Sequence, residues 1–223
     1  MRGHEMTSAR PTSGCRPGRA LRLLMALATL VGALVAVSAS PAAAMLPPNE
    51  GGCSYPSSIG GSISRAEVMC RAFYWYKIRS NPDLTYDDPG DTNYLPYHQD
   101  PTNSKTYRRD CSGYVSMAWH LSSSLSTSTL RDVANPVPGG WSGLLAGDIL
   151  DYPGQHAVIF VGWRDANKTS FYYYAFGHTP VAYNWTTTSG GGGDPAEYVN
   201  PTGKIDNHGY GGYLPYRYKK ITG

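Results

Sequence analysis

Read for hydrophobic spacing, the chain opens with an uncharged, largely apolar run from Leu23 to about Ala39. Arginines precede it, and the small residues Ala42-Ala43-Ala44 follow it. That order is the order of a secretory signal peptide, here cleaved after Ala44. The run covers about 17 residues and is broken by Thr29, Gly32 and Ser38, which is short for a membrane span. Cys15 lies ahead of it, where a lipoprotein would carry its cysteine behind. Residues 45–63 form an N-terminal arm rich in Pro, Gly and Ser, without periodicity. At Ser64 the pattern changes. Val68, Ala72, Trp75 and Tyr76 recur at helical intervals, and Ser64 followed by Glu67 has the spacing of a capping box. A helix over about 64–79 is predicted, stopped by Asn81-Pro82.

From 81 to 106 the periodicity disappears into Pro, Asp, Asn and Tyr, with a turn signal at Asp88-Pro89-Gly90. A stretch this long without pattern suits a binding rim carrying Tyr86, Tyr94 and Tyr97, or a solvated loop. Behind Asp110, a good N-cap, Val115, Ala118 and Trp119 stand at i, i+3 and i+4, so a second helix should begin at Cys111. Further on, 149–152 reads as a strand. The apolar, β-branched 156–161 and the aromatic 171–176 flank a turn cluster at 164–170, which predicts a β-hairpin with largely buried strands. The glycine run at 190–193 lacks the Lys-Ser/Thr of a phosphate loop and is expected to be a flexible connection. A last strand is expected around 213–221. Helices first and strands afterwards indicate α+β with an antiparallel sheet, built as one domain over 64–223.

Charge changes the picture once it is located. Of 19 basic and 16 acidic residues, five Arg and one Glu fall within 1–44. The remainder holds 14 and 15, so the +3 of the whole chain becomes a net charge near −1. A nucleic-acid partner is not expected from so neutral a domain. Removing 1–44 also removes Cys15 and leaves Cys53, Cys70 and Cys111. An odd count in an oxidising compartment leaves one thiol unpaired. A Cys53–Cys70 bridge would staple the arm to the first helix and isolate Cys111, whose plain alternative is a small buried hydrophobe.

The Asp110-Cys111-Ser112-Gly113 segment places that thiol at a helix N-terminus, where unpaired N–H groups and the macrodipole favour a thiolate. Gly113 would leave room for a substrate backbone. A nucleophilic Cys needs a base and a group to orient the base. His120 falls near the far end of the Cys111 helix, as a partner for its C-terminal dipole. His98 lies in the Tyr-rich loop and His208 in a Gly-rich one, both expected as solvated loop residues. His156 opens an otherwise apolar strand and is either a core residue or a placed base. If the hairpin turns symmetrically about Asn167, His178 lies directly across from His156; a one-residue slip would put Gly177 there instead. There is no HExxH or CxxC spacing for a metal and no G-x-S-x-G elbow for a serine hydrolase. Asp87-Asp88, a conceivable glycosidase pair, begins a turn.

The DCSGYVSMAW segment, LLAGDIL and QHAVIFVGW, in that order, resemble the NlpC family of papain-like cysteine peptidases over roughly 65–178. The resemblance implies a papain-like NlpC fold, with the Cys helix on an antiparallel sheet. It implies hydrolysis of peptide or amide bonds in peptidoglycan stem peptides, notably between D-glutamate and a diamino acid. Carried over, Cys111 is the nucleophile, His156 the base and His178 the third residue. Backbone N–H of Cys111 and the hydroxyl of Tyr107 would meet the oxyanion. Asp110, Ser112, Gly113, Tyr94 and Tyr97 are the accompanying substrate-side candidates. No metal or cofactor is required. The expectation is a secreted bacterial thiol protease, monomeric and without a membrane anchor once cleaved. Its other readings are an amidase, isopeptidase or transpeptidase on a non-wall peptide, and a catalytically idle wall-binding module with Tyr platforms. The long Tyr-rich stretch before Cys111 departs from the family pattern, as does the length of the hairpin. With a near-neutral domain gripping substrate through tyrosines, activity should change little between low and physiological salt, measured by substrate release across a salt series.

Overall fold

The computed structural model describes residues 52–87 and 96–223. The expected signal peptide, the start of the arm, the Asp88-Pro89-Gly90 turn and Tyr94 lie outside these. In chain order the elements are β1 (Ile63–Ser64), α1 (Arg65–Lys77), β2 (Tyr97–Gln99), β3 (Thr106–Arg108), α2 (Cys111–Ala118), β4 (Ala134–Pro136) and β5 (Ile149–Tyr152). They continue with β6 (His156–Trp163), β7 (Ser170–Ala175), β8 (Ala182–Thr187), β9 (Lys204–Ile205), β10 (His208–Gly209), β11 (Leu214–Tyr218) and β12 (Ile221–Thr222). Six strands form one antiparallel sheet in the order β4-β11-β5-β6-β7-β8. The architecture is α+β.

Each helix begins where its cap dictates. The Ser64 hydroxyl accepts from the Glu67 N–H at 3.1 Å. Only half of the capping box forms, because the Glu67 carboxylate turns to Ser57 and to Arg71. Arg71 is fully buried and bridges Glu67 at 2.9 Å and Asp100 at 3.1 Å, so α1 is tied to the turn behind β2. The expected Cys53–Cys70 bridge is present and Cys111 is free. α2 ends in a Schellman arrangement, with Leu121 N–H on Ser116 O and His120 N–H on Met117 O. His120 is the left-handed residue there, with φ 51°. It was expected to serve the helix dipole as a cation. Instead it is buried, bonded through Nδ1 to the Ser57 hydroxyl, and desolvation followed by the nearby Arg71 pushes its pKa down.

The run at 156–161 is apolar throughout because both sheet faces are covered. Ala157, Ile159 and Val161 pack with Val68, Ala72, Trp75, Val115 and Trp119 of the helical layer. Val158 and Phe160 pack on the opposite face with Leu150, Phe171, Tyr173, Ile205 and Tyr213. Trp75 stacks on Tyr114 with ring centres 5.6 Å apart, locking α1 to α2. Asp148, fully buried ahead of β5, holds Arg65 at 2.9 Å and Arg217 at 2.7 Å, and so joins the start of α1 to β11.

Two expectations are corrected here. The stretch 81–106 is not wholly irregular: β2 and β3 form a short hairpin in which Tyr97 faces Arg108. The glycine run is not a loose connection. All four residues of 190–193 have positive φ, Gly191 N–H bonds Lys204 O, and Gly192 exchanges hydrogen bonds with Asn200. A β-carbon on Gly192 would fall 2.4 Å from the Trp185 ring. Glycine is required at this position because the chain there is left-handed and crossed closely.

Gly113 is likewise a packing glycine. A β-carbon there would stand 2.1 Å from Arg108 O, so α2 approaches β3 backbone to backbone and no space remains for a substrate chain. Gly113→Ala should therefore lower the unfolding free energy by about 1–3 kcal/mol or more, read by urea or thermal unfolding, since backbone must move to admit the methyl group.

Candidate active site

Asp110 caps α2 with an extended backbone, φ −134° and ψ 177°. Its Oδ1 accepts from Gly113 N–H at 2.6 Å and from the Ser112 hydroxyl at 2.9 Å. Its Oδ2 accepts from Arg108 Nε at 2.6 Å, and Arg108 also donates to Ser112 at 3.0 Å. Asp110 and Ser112 thus hold the bend into the helix, and that work occupies their polar atoms. Cys111 follows immediately, 6% exposed, at the first helical position.

The Cys111 thiol hydrogen-bonds the ring of His156, the first residue of β6. Nε2 of that ring is taken by Asp206 Oδ2 at 2.7 Å, leaving Nδ1 for the thiol. Burial of the ring opposes its charge. The field of Cys111, with hydrogen bonds to Asp206 and Cys111, outweighs that and raises the His156 pKa to about 10. Burial likewise opposes charge on Asp206, but the His156 hydrogen bond, with the fields of His156, His178 and His208, keeps its pKa below the usual carboxylate value. The three groups form a chain from thiol to imidazole to carboxylate.

His178, expected opposite His156, is exposed, with Nδ1 3.2 Å from its neighbour's carbonyl, Thr179 O, and its ring against that of Tyr198. The reason is one residue of register. Close to the turn the hairpin is symmetric about Asn167, pairing Trp163 with Phe171 and Gly162 with Tyr172. A bulge between Phe160 and Gly162 then adds a residue on β6, and beyond it Val158 faces Ala175. Continued along the strands, this pairing brings Gly177 opposite His156. A β-carbon on Gly177 would lie 2.5 Å from Asp206 Oδ2 and 2.8 Å from His156 Cε1. The missing side chain is what lets Asp206 reach the imidazole.

Asp206 arrives on a two-residue turn between β9 and β10, where Ile205 pairs with His208. Asp206 and Asn207 have φ 44° and 67°, the pattern of a type I′ hairpin, which favours Asn, Asp and Gly. Asn200 Oδ1 accepts from Asp206 N–H at 2.6 Å, while its amide donates to Tyr173 OH and Trp185 O. Tyr213 OH donates to Ile205 O at 3.0 Å. Sequence reading passed over Asp206; the Asp-Asn dipeptide ahead of Gly209 is a hairpin signal, though nothing in it points to His156.

Other sequence candidates are placed elsewhere. Tyr107 is fully buried and its hydroxyl donates to Leu121 O at 2.7 Å, so it has no proton to offer an oxyanion beside Cys111. Tyr97 is 53% exposed on β2. His98 is half-buried with its ring edge-on to Trp75, and so is not a solvated loop residue. His208 lies flat against His156. Compared with models of known protein families, with characterised proteins and with solved structures, the chain matches none.

One further carboxylate stands near this chain of contacts. Asp151 on β5 is fully buried, pairs across the sheet with Ala157 beside His156, and neither of its oxygens has a hydrogen-bond partner among the described residues. Burial raises its pKa to about 7, with Arg131 and His156 offsetting part of the effect. Because this lies above the value of an unfolded Asp, the stability linked to its protonated form is complete below about pH 4 and lost as pH rises to 7. Asp151→Asn should therefore stabilise the protein by up to about 4 kcal/mol at pH 8 and by little near pH 4, measured by denaturant unfolding at the two values.

Proposed function

We propose that this chain is an exported cysteine peptidase of the papain-like NlpC type, hydrolysing amide bonds of peptidoglycan stem peptides. The observation that carries the reading is the continuous contact from the free Cys111 thiol through His156 to Asp206, set at a capped helix start. A nucleophile in reach of a base, itself oriented by a third group, is the general form of nucleophilic catalysis. The Cys53–Cys70 bridge, together with the basic and apolar order of residues 1–44, supports export to an oxidising compartment.

In this mechanism His156 Nδ1 accepts the Cys111 proton and the thiolate sulfur adds to the scissile carbonyl carbon. The first N–H groups of α2, beginning with Cys111, are the donors for the resulting oxyanion. The imidazolium returns its proton to the departing amine as the carbon–nitrogen bond breaks, leaving a thioester. His156 then takes a proton from water, hydroxide adds to the thioester, and the acid is released as the thiol is restored. Asp206 accepts from Nε2–H throughout, which fixes the tautomer and stabilises the imidazolium. The bond between D-glutamate and a diamino acid is the substrate assigned by the resemblance.

Incubation with intact peptidoglycan and with a γ-D-glutamyl-diamino acid peptide, followed by mass spectrometry, tests the reading. Fragments of the stem peptide should appear with the unmodified protein and vanish with Cys111→Ala. Asp206→Ala should slow release by on the order of 100-fold or more, while His178→Ala leaves it near the unmodified rate. Equal release by Cys111→Ala would sink the nucleophile assignment. Cleavage confined to non-wall peptides would keep the enzyme class and replace the substrate.

A further inference from the structure

The imidazole of His208 is stacked on that of His156, with ring centres 4.5 Å apart and planes within 12°. Its Nδ1 lies 2.7 Å from Asp206 O. A carbonyl oxygen only accepts, so Nδ1 carries the hydrogen and Nε2 is the position left for a second proton. Asp206 therefore anchors both rings, His156 by its carboxylate and His208 by its main-chain oxygen. The tight turn between β9 and β10 fixes their separation.

We propose that His208 is a positioning residue whose uncharged ring allows the Cys111–His156 pair to stay charged, and whose protonation discharges that pair and sets the acid limit of the nucleophile. The proposal rests on the Cys–His reading above. Protonation of His208 at Nε2 would put a second cation flat against the His156 imidazolium. With the two rings stacked 4.5 Å apart, that repulsion drives the His156 proton back to Cys111 sulfur. No net proton is gained or lost in that transfer: one N–H bond breaks and one S–H bond forms.

The charged groups around His208 agree with this. Burial of the ring disfavours its cation, His156 from β6 adds repulsion, and Lys204 from β9 adds more. The carbonyl and carboxylate of Asp206 act in the opposite direction, and the sum holds the His208 pKa below that of an ordinary histidine. A ring needed only for packing would be served by any aromatic residue and would leave no trace in a pH profile.

The test is the pH dependence of iodoacetamide alkylation at Cys111, followed by peptide mapping, in the unmodified protein and in His208→Phe. Phenylalanine keeps a flat ring and cannot titrate. The acid limb should move down by about half a pH unit or more, the scale set by two unit charges at this separation even with water-like screening. In the unmodified protein, nitrogen NMR of His208 should show Nε2 gaining its proton at the midpoint of that limb. Superimposed acid limbs in the two proteins, or a His208 that remains neutral throughout the limb, would overturn the proposal. If His208→Phe fails to fold, the NMR comparison decides alone. Alkylation following the profile of an ordinary free thiol in the unmodified protein would instead overturn the Cys–His reading, and the proposal with it.

Discussion

A single hydrogen bond, from His156 Nε2 to Asp206 Oδ2 across 50 residues of chain, gives much of the molecule its reason. Both ends are almost completely buried, so neither group can remain charged there without the other. Four separate features meet to make the bond. The β6 bulge sets the register that brings Gly177 to the site, and Gly177 leaves the gap. The left-handed Asp206-Asn207 turn directs the carboxylate inward. Asn200, held by Tyr173 and Trp185 and paired with the crowded glycine run, fastens that turn. A non-glycine residue in a left-handed conformation costs on the order of 1 kcal/mol. Here the cost falls at the residue whose carboxylate holds the His156 ring.

The thiol side of the site is built by different means. α2 is only eight residues long, and its start is fixed by Asp110, Ser112 and Arg108 hydrogen-bonding one another. Its interior is wholly buried between α1, β3 and β6. The helix can come so close to β3 because Gly113 has no side chain. Cys111 thus stands on a rigid element at one end of the contact chain, while Asp206 stands on a fastened turn at the other. His156, at the first position of a strand buried on both faces, is held between them.

Buried charge is distributed unevenly. Asp148 is met by two arginines, and Arg71 by two carboxylates, so their desolvation is offset by direct pairing. Asp151 has no such partner among the described residues, and its pKa is raised to about 7 instead. The contrast follows position. Three of the four pairs join segments far apart in sequence, Glu67–Arg71 being the exception within α1, whereas Asp151 pairs across the sheet with Ala157, beside His156.

Local patterns were sufficient to read both helices, the strands at 149–152 and 156–161, the α+β class, Cys111 at its helix start and the pairing of Cys53 with Cys70. These depend on side-chain period, on caps within three residues and on cysteine parity, all of which are properties of neighbouring residues. The partner of His156 was beyond their reach. A symmetric hairpin selects His178, and one bulge turns the answer to Gly177, because a strand's faces alternate with every residue. Asp206 is 50 positions from His156 and acquires its role only when β9 and β10 fold back beneath the sheet. The burial of Tyr107 on Leu121, the crowding of Gly113 and the stacking of His208 on His156 are of the same kind. Each depends on contacts between segments distant in the chain, which only the packed tertiary structure brings together.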